Sequence, residues 1–225
     1  LAWLVRPIPN VASPAAQLGT QFHAWAERFI MADANDAGIG VGASGNGGTR
    51  VAESRLAMLA ELRRNNAAQS QDNQDDNGAD NNGIFDWQQR LATSTWARRK
   101  PAWAERQIVV NVPQLGTIVN GKLDAVFFGG LDGADRSKQY TIVDWKTGKK
   151  TSQKKRKIQK KLAQLDMYRI LLSAMEGVPL TAIDACLYYL SEPIEGDRQL
   201  NAADKTEEEI LAELSYGIPE QSDND

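Results

Sequence analysis

Ile142-Val143-Asp144-Trp145-Lys146-Thr147-Gly148 is an apolar, strand-like run that carries one carboxylate and one amine two residues apart. Alternate side chains of a strand share a face, so Asp144 and Lys146 point together while Val143 and Trp145 point into packing. A metal-binding acid beside a fixed ammonium is what phosphodiester hydrolysis needs, because the metal activates water and the cation answers charge developing on phosphate. Acid-x-Lys pairs are also common on half-exposed strands as plain solvated ion pairs. The pair therefore takes its meaning from what surrounds it.

Upstream, Gly116 to Phe128 (GTIVNGKLDAVFF) alternates apolar and polar residues and reads as a second strand, with Asp124 near its end. The turn-rich stretch LDGADRSKQ joins it to the strand of Asp144, which can bring both carboxylates to one end of a sheet. Such a pair repels itself unless a cation sits between them; two exposed strand acids would show the same residues. Downstream, Ile158, Leu162, Leu165, Tyr168, Ile170 and Leu172 trace an amphipathic helix from about Lys157 to Glu176. Gln164 and Tyr168, four apart, share a face of it. Near the start, Ser13 before Pro14 is a helix N-cap signal. The helix that follows directs Phe22, Trp25, Ala26 and Phe29 to a core and sets His23, the one histidine, beside that stripe.

In order, the chain holds Gly-x-x-x-His (Gly19 to His23), a strand glutamate (Glu105 in WAERQIVV), Gly-x-x-Asp (Gly121 to Asp124), Asp-x-Lys-Thr (Asp144 to Thr147) and Gln-x-x-x-Tyr (Gln164 to Tyr168). This series resembles the nuclease domain of RecB-type and AddA-type helicase-nucleases, in the PD-(D/E)xK superfamily of metal-dependent nucleases, as found C-terminal to UvrD-like helicases. The resemblance implies a restriction-endonuclease-like α/β fold, with a mixed central sheet flanked by helices and an N-terminal helical layer. It also implies that His23, Asp124, Asp144 and the main-chain carbonyl of Trp145 bind Mg²⁺ or Mn²⁺, with Lys146 as the catalytic lysine. Glu105, Gln164 and Tyr168 would support the site, and Gln164 and Tyr168 would also engage DNA. Cleavage would leave a 5'-phosphate and a 3'-hydroxyl, on single-stranded DNA or duplex ends delivered by a helicase motor, in end processing and recombinational repair. A non-catalytic DNA-binding or docking module would share the fold but would be expected to lack ligands, and every motif position is filled.

With 225 residues, 42% of them hydrophobic, the chain has enough length for one large core decorated by insertions. Cys186 is the single cysteine, so the chain cannot supply the four thiolates of the iron–sulfur clusters that some relatives of this fold carry. The first residues, LAWLVRPIPN, are too short and proline-rich for a signal peptide, and no apolar run reaches membrane-spanning length. We expect one cytoplasmic nuclease domain over 1–225, excised from a longer helicase-nuclease.

Residues 32–48 and 65–83 are rich in Gly, Asn, Asp and Ala and read as flexible loops around a helix from about Arg50 to Arg64 capped by Thr49, with a polar tail at 217–225. The glycines are followed by no Gly-Lys-Ser/Thr, so they form no phosphate loop and the chain shows no ATPase. Further helices are expected at Asp86 to Arg99 and Lys205 to Leu214, and further strands at Trp103 to Val112 and Ala182 to Leu190. The net charge is −3, yet Lys149, Lys150, Lys154, Lys155, Arg156, Lys157, Lys160 and Lys161 crowd the segment after the Asp-x-Lys motif. A solvated helix face would look alike; beside a hydrolytic centre the run reads as a rim for DNA phosphates, carrying no base preference.

Overall fold

A computed structural model describes residues 13–32, 54–72, 79–112, 117–150 and 155–216. In chain order the elements are helices α1 (Pro14–Met31), α2 (Arg55–Asp72) and α3 (Ala79–Thr93), strands β1 (Pro101–Val112), β2 (Thr117–Phe128) and β3 (Tyr140–Lys146), helix α4 (Lys155–Glu176), strand β4 (Ile183–Tyr189), the short helix α5 (Glu195–Arg198), strand β5 (Gln199–Asn201) and helix α6 (Glu207–Tyr216). They fall into two compact units, Leu1–Gln89 and Arg90–Asp225.

In the N-terminal unit the helix start at Ser13 is as expected: its hydroxyl accepts from the Ala16 N–H and Pro14 occupies the first turn. Phe22, Trp25, Ala26, Phe29 and Ile30 are buried, and the rings of Trp25 and Phe29 stack at 4.8 Å. At the other end of α1, the Arg55 guanidinium donates to the carbonyls of Phe29 and Ile30, at 2.8 and 2.6 Å, satisfying acceptors that a helix C-terminus leaves open. The following helix differs from expectation. It begins at Arg55 rather than Arg50, with the Ser54 hydroxyl capping it through the Ala57 N–H, and it runs through 65–72 into the segment read as loop. Ala and Gln in that stretch are good helix formers, so polarity there does not break the helix. α3 likewise covers 79–83 and stops at Thr93, with a separate 3₁₀ turn at Trp96–Arg98 in place of one helix to Arg99. Most of the loop expected at 32–48, and the tail at 217–225, lie outside the described residues.

The C-terminal unit is a five-stranded mixed sheet in the order β1-β2-β3-β4-β5. β1–β2, β2–β3 and β4–β5 are antiparallel and β3–β4 is parallel, with α4 as the crossover. The three-residue strand β5 and the turn of α5 went unpredicted. One face of the sheet packs Ile108, Leu123, Val126, Ile142, Ile183, Ala185 and Leu187 against Leu165, Leu171 and Leu172 of α4. Through the other runs a buried aromatic row, Trp96 to Phe127 to Trp145 to Tyr188, with centroid separations of 5.1, 6.4 and 5.7 Å. No described helix is long and apolar enough to cross a membrane.

Strict alternation breaks in β1 and β2 at Glu105 and Asp124, and the ladder is irregular again between Pro101 and Trp103. Ile108 and Val110 face the α4 core on one side of Glu105 and Trp103 does so on the other, and on β2 the core positions change from Leu123 to Val126. The pairing itself holds, with Ala104 opposite Ala125 and Arg106 opposite Leu123. Both strands therefore kink together at Glu105 and Asp124, and Glu105 sits at φ 50°, in the left-handed region that side chains avoid. Glycine normally weakens a strand relative to alanine. Here the order should reverse: Glu105→Gly should be more stable than Glu105→Ala by about 1 kcal/mol in urea unfolding. Equal or opposite stabilities would remove the strain.

Candidate active site

The kink positions the acids. The β2–β3 ladder ends with Ala125 opposite Val143, which would leave the next strand N–H on this side, that of Trp145, without a backbone acceptor. The Asp124 carboxylate takes that place, accepting from Trp145 N at 2.9 Å. A side chain thus continues the sheet where the backbone departs, and it holds Asp124 against the Asp144–Lys146 stretch. Asp144 and Lys146 share the α4 face with Ile142, and their side chains form an ion pair. Asp144 is buried, at 8% exposure, and the Lys146 ammonium beside it offsets the cost of holding a charge there. Val143 and Trp145 turn to the opposite face, as the alternation predicted, with the Trp145 ring inside the aromatic row.

Glu105 and Asp124 have carboxylate oxygens within 4.8 Å of each other. Glu105 also pairs with Lys122, which lies two residues before Asp124 on β2. Among the described residues Asp144 does not complete a three-ligand group with Glu105 and Asp124 at that separation; its partner is Lys146. Two clustered carboxylates repel unless a cation lies between them, and hard oxygen donors suit Mg²⁺ or Mn²⁺, so the donor set fits a divalent ion. His23 lies half-buried on α1 in the N-terminal unit, its ring edge-on to Phe22 at 5.8 Å.

α4 covers this centre. Gln164 Nε2 donates to Tyr168 Oη at 2.8 Å, so the two residues read as face-sharing are in contact. Tyr168 lies against β2 at Gly121, where an added Cβ would come 2.7 Å from its ring. The glycine of the Gly-x-x-Asp motif therefore acts through space: any side chain there would push Tyr168 out. Burial first, and then the charges of Asp144 and Asp124, push the Tyr168 phenol up to about 12, so it stays protonated at neutral pH and keeps a proton to donate.

The basic run divides. Lys155, Arg156 and Lys157 are exposed in the first turn of α4, where cations oppose the helix dipole and gain nothing structural from it. Lys149 is exposed. Lys150 is folded inward instead, its backbone N–H donating to Glu192 and its ammonium to the Asp197 carbonyl, both at 2.9 Å. Lys154 lies outside the described residues. Lys122 escaped the sequence reading, although a lysine two positions from Asp124 on a strand was the available signal.

A family model described as the PD-(D/E)XK nuclease superfamily matches residues 3–223. No curated protein matches the chain.

Proposed function

Because the chain belongs to the PD-(D/E)XK nuclease superfamily, we propose that it is a metal-dependent deoxyribonuclease, the nuclease module of a helicase-nuclease acting on DNA ends in recombinational repair in the cytoplasm. The observation that carries this reading is the Asp144–Lys146 ion pair held beside Asp124 by the Trp145 N–H. Asp124, Asp144, Glu105 and the Trp145 carbonyl would hold a divalent ion, with His23 carried over from the family's histidine, and that ion supplies a water of lowered pKa and positive charge for the phosphate.

The chain's own groups do the rest. Lys146 changes its allegiance: its ammonium, balanced by Asp144 in the resting site, turns to the phosphate oxygen on which charge builds up. Tyr168, protonated and steadied by Gln164, donates to the strand and closes the site on the α4 side. The exposed Lys149, Lys155, Arg156 and Lys157, with Lys154, attract phosphates whatever the base sequence.

With a hydrolytic centre but no phosphate loop, the domain depends on something else to deliver strands. Alone it should degrade single-stranded DNA slowly, without response to ATP, and leave closed circular duplex almost intact. Joined to its motor it should degrade linear duplex from the ends in an ATP-dependent way, because tethering raises the local strand concentration. Assays on single-stranded, linear and closed circular substrates, with and without ATP, decide it. Rapid ATP-independent cutting of closed duplex by the domain alone would instead identify a free-standing endonuclease.

A further inference from the structure

The chain leaves β3 without losing its anchorage. The β3–β4 ladder runs to Lys146 opposite Tyr189, and the next N–H of the neighbouring strand, that of Leu190, donates to the Lys146 carbonyl at 2.8 Å. Beyond that point two side chains continue what the backbone began. The Ser191 hydroxyl donates to the Gly148 carbonyl and the Glu192 carboxylate accepts from the Lys150 N–H, both at 2.9 Å. Residues 190, 191 and 192 thus take hold of 146, 148 and 150 in turn. The Lys150 ammonium adds a further bond, donating to the Asp197 carbonyl at 2.9 Å. The holding turn is itself held. The Arg198 guanidinium, at 7% exposure, donates to the carbonyls of Glu192 and Pro193 at 2.8 and 2.6 Å. A buried planar donor directed at two successive carbonyls fixes the shape of the turn that carries them.

We propose that Ser191, Glu192 and Arg198 are positioning residues for Lys146, forming a clamp that holds the chain from 146 to 150 and so keeps the Lys146 ammonium aimed at the phosphate. The proposal rests on the nuclease reading for what Lys146 does. Its physical basis is the irregular backbone that follows the lysine. Residues 147–150 belong to no helix or strand, and such a stretch samples many conformations unless specific bonds restrain it. Motion there would pass directly to the end of β3. A displacement of about 1 Å at a catalytic group can cost on the order of a hundredfold in rate. On the other side of β3 the Asp124 carboxylate accepts from the Trp145 N–H at 2.9 Å. The lysine is therefore fixed from both neighbouring strands, each time by side chains that extend a ladder past its last backbone rung. Among the clamp's side chains Glu192 makes the charge-assisted bond to the 146–150 backbone, so its loss should be felt most.

The test joins steady-state cleavage of a single-stranded oligonucleotide in Mg²⁺ to amide hydrogen exchange of the folded protein. Glu192→Ala should lower kcat about tenfold with KM changed less and with calorimetric Mn²⁺ binding intact, the pattern of a misaimed group rather than a lost ligand. Glu192→Gln should restore most of kcat, because an amide oxygen can accept the same Lys150 N–H. Ser191→Ala should cost a few-fold, and Ile194→Ala, an exposed side chain of the same turn, should match wild type. Exchange at the Lys150 amide should accelerate in Glu192→Ala and stay slow in Glu192→Gln. Wild-type kcat in Glu192→Ala overturns the clamp's role in positioning. A Gln variant as slow as the Ala variant overturns the hydrogen bond as its means, and loss of Mn²⁺ binding in Glu192→Ala shows a displaced centre instead. If wild-type protein never cleaves, the nuclease reading fails, while the exchange data still decide the clamp: accelerated exchange in Glu192→Ala upholds it and unchanged exchange overturns it.

Discussion

Lys146→Met is expected to reduce phosphodiester cleavage by about a thousandfold, the loss seen when one preorganised donor to a developing charge is removed. It should leave divalent-ion binding intact, because an ammonium is not a ligand. Asp144→Asn should abolish cleavage as well, but weaken Mn²⁺ binding measured by calorimetry. The structure adds a consequence that motif matching would not supply. Asp144 is buried against Lys146, so the single Lys146→Met variant removes the ammonium paired with a buried carboxylate and should lose about 1–3 kcal/mol of stability. The double variant Asp144→Asn/Lys146→Met removes that buried charge as well and should recover much of the stability with no recovery of activity. Cleavage near the wild-type rate by clean Lys146→Met protein would refute the assigned centre. A double variant as unstable as the single would refute the ion pair as the reason for their proximity.

What the sequence discloses about this centre is mostly local. Ser13-Pro14 announces a helix start because capping is settled within one turn, and β2 can be read to its ends because its alternation stops at turn residues. Asp144, Lys146, Gln164 and Tyr168 were assigned to common faces from spacing alone, and both pairs are in contact. What escaped depends on the chain meeting itself. The kink at Glu105 and Asp124 shifts the phase of two paired strands, and a pattern read along either strand alone misplaces half of its faces. Lys150 looks like its neighbours until β4 and the turn after it bring Glu192 and Asp197 alongside. Tyr189 sits in a uniformly apolar run, CLYYL, where nothing marks one tyrosine as lying beneath a lysine. Residues 65–72 were misread for a different reason. Low complexity suggested an unordered loop, but Ala, Gln and Asn in that run do not forbid a helix already nucleated upstream.

Asp124 carries two duties that one substitution can separate. Its carboxylate closes the sheet by accepting from the Trp145 N–H at 2.9 Å, and it lies within 4.8 Å of Glu105 as half of a donor pair for a cation. Asn at this position retains a carbonyl oxygen able to accept the same hydrogen bond, whereas Ala retains nothing. Asp124→Asn should therefore keep a melting temperature near that of wild type, and Asp124→Ala should lose about 1–3 kcal/mol, the penalty for a strand N–H left without an acceptor. Both should lose cleavage by at least about a hundredfold, since neither offers the charge needed to hold the ion and answer the phosphate. Calorimetric titration with Mn²⁺ should show weakened binding in both. The discriminating result is the Asn variant, folded but inactive. If Asp124→Asn cleaves nearly as well as wild type, the residue serves the sheet alone and the metal site must be built without it. If it melts as early as Asp124→Ala, the amide has failed to replace the carboxylate at Trp145, and the loss of activity would then report a displaced β3 rather than a missing ligand.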